Sequence, residues 1–164
     1  MSVKKFSGAV GLTYLALGLF GAIPSFLTPA KAIPQIVTEV GITRGYGNLL
    51  GVFPINAFEA VVYIAIGLAG LVAFVGTEPF ARLYADMLAV WLGLIGLLGL
   101  IPTANTLFGL MPIYGNDVWL HLGTAAIAAY FGFFLDKGRP GRDPSASDTY
   151  DSDPIERTPI ASDN

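Results

Sequence analysis

Four stretches of this chain are apolar almost throughout, and the segments between them are short, polar or rich in proline and glycine. They run from Phe6 to Leu27, Ala57 to Val75, Leu83 to Ile101 and Val118 to Leu135. Each approaches the roughly 20 residues that a helix needs to cross hydrocarbon. Lipid offers the backbone no hydrogen-bond partner, so such segments satisfy their own N–H and C=O groups as helices. The pattern predicts an all-α membrane protein with four transmembrane helices in residues 1–135.

The apolar segments repeat in pairs. Gly18-Leu19-Phe20-Gly21-Ala22-Ile23-Pro24 returns 78 residues later as Gly96-Leu97-Leu98-Gly99-Leu100-Ile101-Pro102. Leu49-Leu50-Gly51-Val52-Phe53-Pro54-Ile55 returns 58 residues later as Leu107-Phe108-Gly109-Leu110-Met111-Pro112-Ile113. The chain therefore reads as two parallel-repeated helical hairpins, 6–76 and 84–135. The first contains an outer-surface loop, 29–48, that the second lacks. In that loop Ile33, Ile36, Val37 and Val40 recur at helical spacing, which predicts a short amphipathic surface helix. Glycines at 8, 11, 18 and 21 and at 93, 96 and 99 flatten one side of the first and third spans. Small residues let membrane helices approach closely, so these two faces are expected to pack on each other.

Composition agrees with a membrane class: 54% of residues are hydrophobic and 13% charged, too few to cover a soluble domain of this size. Cysteine is absent, which excludes disulfides, thiolate metal sites and a cysteine nucleophile. There is no basic stripe for nucleic acid. Lys4, Lys5, Arg82, Lys137, Arg139 and Arg142 fall on one side of the spans and only Lys31 and Arg44 on the other. That bias predicts cytoplasmic N- and C-termini. Lys4-Lys5, an apolar run and Ala30-Lys31-Ala32 imitate a cleavable signal, but the run's partner in the repeat is internal, so it is expected to be retained. Residues 136–164 are acidic and rich in Ser, Asp and Pro, and are expected to be a disordered tail. Arg82 and Asp86, at i and i+4, read as an ion pair near the membrane surface.

The candidate chemistry lies at the outer ends of the second and fourth spans. With the 58-residue offset, Pro54 matches Pro112, Glu59 matches Asp117 and Tyr63 matches His121. In each half the acid and the polar ring are i and i+4, on one helix face. Two such faces about a twofold axis would bring Glu59, Tyr63, Asp117 and His121 together. That grouping fits a proton relay, a divalent-metal site or a haem or chlorophyll ligand at His121, the only histidine. Structural roles compete for the same residues. Asn56-Ala57-Phe58-Glu59 reads as a capping box, while Asn116 and Asp117 suit the start of the fourth helix. His121, one turn in, is expected to reach interfacial water. No nucleophile elbow, phosphate loop, zinc spacing or dinucleotide fingerprint is present. Phe53, Phe58, Phe108, Tyr114 and Trp119 are expected to form an outer aromatic belt.

Ala81-Arg82-Leu83-Tyr84-Ala85, the Gly99–Pro102 stop, Leu107-Phe108-Gly109-Leu110-Met111-Pro112 and above all Asn116-Asp117-Val118-Trp119-Leu120-His121 carry a resemblance. The chain resembles an uncharacterised family of small four-helix bacterial integral membrane proteins, a domain of unknown function. The resemblance implies four spans and a bacterial inner-membrane location, or a thylakoid one in a photosynthetic source, and no known activity. It also implies histidines in the second helix, where this chain has Glu59 and Tyr63, so a two-histidine site is not available here. The function expected is that of a non-enzymatic accessory, assembly or stabilising subunit, with the lipid bilayer and other subunits or itself as partners. The alternatives are a homo-oligomeric transporter or channel and a haem- or chlorophyll-binding protein.

Overall fold

A computed structural model of the protein describes residues 1–31 and 33–135. The acidic tail expected to be disordered, with Lys137, Arg139 and Arg142, lies outside the described residues. Five α-helices dominate: α1 Val3–Gly21, α2 Gln35–Val40, α3 Ala57–Val75, α4 Glu78–Gly99 and α5 Asn116–Ala129, which continues as a π-helical turn over Tyr130–Phe134. Helices α3 and α4 are long and apolar enough to cross a membrane, with mean hydropathy of 2.3 and 1.5 over their best 18 residues. Helix α4 begins at Glu78, earlier than the apolar run beginning at Leu83 predicts. Pro79 is tolerated in its first turn, where a missing N–H costs nothing.

The sequence predicted helices alone, but the outer loop also builds a small sheet. Strands β1 Leu27–Pro29, β2 Gly47–Leu49 and β3 Phe53–Ile55 pair antiparallel in that order, Leu27 facing Leu49 and Leu49 facing Phe53. Three-residue strands are too short to show an alternating period, so hydropathy does not reveal them. The turn between β2 and β3 holds Leu50 and Gly51 at φ 51° and 74°. Phe108 and Gly109, 58 residues on, adopt 58° and 90°. A left-handed backbone suits glycine and strains a residue with a Cβ, so the same conformation at matching positions explains the Leu/Phe-Gly spelling of both turns.

The glycine faces pack differently from the expectation that α1 lies on α4. Helix α1 packs on α3: a Cβ at Gly11 would lie 2.8 Å from the Gly70 carbonyl carbon, and one at Gly18 would lie 2.7 Å from Ile64. Helix α4 packs on α5, where a Cβ at Gly96 would lie 2.7 Å from Leu122. Each glycine face thus serves the other long helix of its own half, α1 on α3 across the long 22–56 segment and α4 on α5 across 100–115. Ile64 and Leu122 are again 58 residues apart, as are Ile55 and Ile113, the neighbours of Gly21 and Gly99.

Helix α2 turns Val37 inward and leaves Ile33, Ile36 and Val40 largely exposed. It rests on Gly109, where a Cβ would come within 2.9 Å of the Ile36 carbonyl and of Val40 Cγ2. The added loop of the first half thereby covers the corresponding turn of the second. At the opposite end Arg82 does not bridge to Asp86 as expected. It lies 3.9 Å from Glu78, one turn back, and donates to the Gly132 carbonyl at 3.2 Å.

Candidate functional site: a sealed acid–tyrosine–histidine centre

Two helix N-termini, one from each half, enclose a polar centre. Asn56 caps α3: its Oδ1 accepts from the Glu59 backbone N–H at 2.8 Å, and its Nδ2 donates to the Leu110 carbonyl at 2.7 Å. Only half of the expected capping box forms, because the Glu59 carboxylate does not return to the cap. Both its oxygens are buried without a hydrogen-bond partner. Asn116 does not cap α5 either. The cap position is Gly115, and Asn116 donates from Nδ2 to the Val52 carbonyl at 3.2 Å. Leu110 and Val52 occupy matching positions of the repeat, so each half accepts an asparagine from the other. These ties draw the first turns of α3 and α5 together.

The four residues singled out by the 58-residue offset meet there. Tyr63 Oη donates to Asp117 Oδ1 at 2.5 Å and lies 3.1 Å from His121 Nε2. His121 Nδ1 lies 3.2 Å from Asp117 Oδ2. One ligand-capable atom from each of Glu59, Asp117 and His121 falls within 4.8 Å of the others. Glu59, Asp117 and His121 are fully buried, and Tyr63 nearly so. His121 therefore does not reach interfacial water as its position one turn inside the helix implied. The Tyr63 ring packs edge-on against His121 with centroids 5.9 Å apart, and both residues are buried.

A tyrosine hydroxyl has one proton, and here it goes to Asp117. With that proton on Asp117, the 3.1 Å contact calls for the Nε2–H tautomer of His121, which would leave Nδ1 of the neutral ring as a bare lone pair. That lone pair faces Asp117 Oδ2. With Glu59 Oε1 and Oε2, four buried acceptors have no hydrogen-bond partner. Unpaired buried acceptors and two adjoining carboxylates are costly in a medium of low dielectric. A positive charge, proton or metal ion, resolves the deficit.

Tyr14 of α1 completes the wall. Its ring meets Tyr63 edge-on with centroids 5.1 Å apart, and its hydroxyl donates to Thr124 Oγ1 at 3.2 Å. Hydropathy gave Tyr14 no role beyond packing; only its neighbours show that it faces the centre. Beyond the helix starts, Tyr46 and Tyr114 share a hydrogen bond of 2.7 Å, and burial pushes the Tyr46 hydroxyl well above the usual tyrosine range. Of the expected aromatic belt, Phe58, Phe108 and Trp119 are exposed. The His121 ring is fully buried against Tyr63 and Asp117, which leaves no open face beside it for the macrocycle of haem or chlorophyll.

No curated protein and no solved structure matches this chain. One family does, over residues 4–134, and the chain belongs to it: the family described as Domain of unknown function (DUF4383).

Proposed function

We propose that this chain is a small, non-enzymatic integral membrane protein that crosses the bilayer four times, with both termini cytoplasmic, and holds a cation at the polar centre between its two halves. One observation carries the reading: Glu59 is completely buried with neither carboxylate oxygen partnered, beside a second buried carboxylate. Ionisable groups inside membrane helices are costly and mark functional sites. Capping accounts for Asn56 but leaves the Glu59 carboxylate without a structural task.

The test is the thermal stability of chelator-treated, detergent-purified protein. A residue retained for binding rather than folding is replaceable without loss of stability. Glu59→Gln, which keeps the shape and removes the charge, is expected to melt at the same temperature as the wild type or higher. A clearly lower melting temperature would assign Glu59 a structural role and remove this reading.

A second observation favours a subunit role in a larger membrane assembly. A lateral groove of about 310 Å³ between α3 and α4 is lined by Ala65, Ile66, Ala69, Tyr84, Met87 and Trp91. Ala65 and Ala69, one turn apart, give the small-residue spacing that admits a second helix closely. The occupant proposed is a transmembrane helix of a partner subunit. Because the chain lacks cysteine, Ala69→Cys supplies a unique crosslinking handle. Capture of a distinct membrane protein in native membranes is expected. An adduct of two copies of this chain would instead support the homo-oligomeric transporter or channel.

A further inference from the structure

We propose that the cation held by the centre is a divalent first-row transition metal ion, bound by Glu59, Asp117 Oδ2 and His121 Nδ1. This inference rests on the cation-centre reading above and names its ligand. Three independent features of the geometry point to a metal rather than to a shared proton alone.

The first is convergence. One candidate ligand atom from each side chain lies within 4.8 Å of the others, so a common centre lies within about 2.8 Å of all three, that separation divided by the square root of three. Metal–nitrogen and metal–oxygen bonds of zinc are about 2.0–2.2 Å, so a small inward movement of side chains closes the site. The second is the unpartnered state of these atoms. Glu59 Oε1 and Oε2, Asp117 Oδ2 and His121 Nδ1 are all buried and accept no hydrogen bond among the described residues. A proton between Nδ1 and Oδ2, or one on Glu59 shared with Asp117, satisfies one contact of the cluster at a time. A metal ion serves all three side chains at once.

The third is the outer support. Tyr63 holds the far oxygen of Asp117 and meets the far nitrogen of His121, at 2.5 and 3.1 Å. Metal-binding imidazoles are typically held this way, the second nitrogen donating to a neighbouring acceptor so that the first presents its lone pair. The donor set also sets the metal class. An imidazole with two carboxylates suits zinc, manganese, iron or cobalt, whereas calcium and magnesium prefer oxygen alone. The two carboxylates balance the 2+ charge, so the loaded centre is neutral in the low-dielectric interior.

The experiment uses the full chain without a histidine tag, in lipid nanodiscs, stripped with chelator and titrated with Co²⁺ by visible absorption and equilibrium dialysis. One Co²⁺ per chain is expected, with the spectrum of a nitrogen–oxygen site. Zn²⁺ should displace it, and a hundredfold excess of Mg²⁺ or Ca²⁺ should not. His121→Ala and Asp117→Asn should abolish binding, Glu59→Gln should weaken it at least tenfold, and Glu39→Gln, an exposed acid, should leave it unchanged. Should the ligand variants not fold, Tyr63→Phe keeps all three ligands and is expected to bind Co²⁺ more weakly, while Zn²⁺ should still raise the melting temperature of the wild type. Absence of bound Co²⁺, equal competition by Mg²⁺, or binding that survives all three ligand changes overturns the proposal. If Co²⁺ fails to bind while Glu59→Gln melts no lower than wild type, the metal is wrong and the cation centre stands. If Glu59→Gln is destabilising in stripped protein, the centre itself is wrong.

Discussion

Tyr63 has a single proton, and the geometry of the centre turns on where it goes. Given to Asp117, it orders that carboxylate and fixes the tautomer of His121. Tyr63→Phe would leave Asp117 Oδ1 and His121 Nε2 without the partner they share. A loss of about 1–3 kcal/mol in unfolding free energy is expected, the usual cost of stranding buried polar groups, measurable by denaturant titration in detergent. A change below about 0.5 kcal/mol would mean that water replaces the hydroxyl, contrary to a sealed centre. The sequence placed these residues on matching helix faces through the 58-residue offset. It did not show that Tyr63 and His121, which match each other in the repeat, touch each other. Nor did it show that Glu59 lacks a partner. Both depend on side-chain distances across the two halves, which no local pattern encodes.

Glycine spacing announced close helix packing but not the partner. The reason is geometric: a flat face admits any neighbour, and the choice rests on complementary small residues far along the chain, such as Gly67 and Gly70 opposite Gly11. Gly11 and Gly123 provide the contrast. A Cβ at Gly11 would press on the backbone of Gly70 and Leu71 at 2.8 Å, whereas Gly123 has nothing within 4 Å. Gly11→Ala is expected to destabilise by about 1–3 kcal/mol, the range for overpacked contacts. Gly123→Ala is expected to be neutral or to stabilise by up to about 1 kcal/mol, through helix propensity alone. Equal melting temperatures for the two variants would refute the α1–α3 contact. Gly109 tests the turn over the centre. Its φ of 90° and its approach to Ile36 make Gly109→Ala unfavourable by both backbone strain and contact. Lower stability is expected together with faster hydrogen exchange in the turn.

Across the whole molecule, the proposed orientation follows from the cations flanking the apolar runs and is open to direct measurement. The absence of cysteine makes single-cysteine labelling clean. A membrane-impermeant maleimide applied to intact cells should label Thr28→Cys and Gly115→Cys, and should label Ser2→Cys and Thr77→Cys only after lysis. The reverse pattern would invert the topology, and labelling of Ser2→Cys with Gly115→Cys from one side would remove the four-span arrangement. Hydropathy alone determined the helical class and the long apolar segments, because burial of apolar side chains acts residue by residue along the chain, but not their ends: α1 stops at Gly21 and α4 begins at Glu78. The 58-residue offset between similar sequence stretches singled out which residues to compare. Only the tertiary structure decided that the glycine faces pack within each hairpin, that the outer loop forms a sheet and covers the opposite turn, and that the centre is closed. Those outcomes rest on contacts between segments tens of residues apart, where shape, hydrogen-bond donors and burial have to be satisfied together.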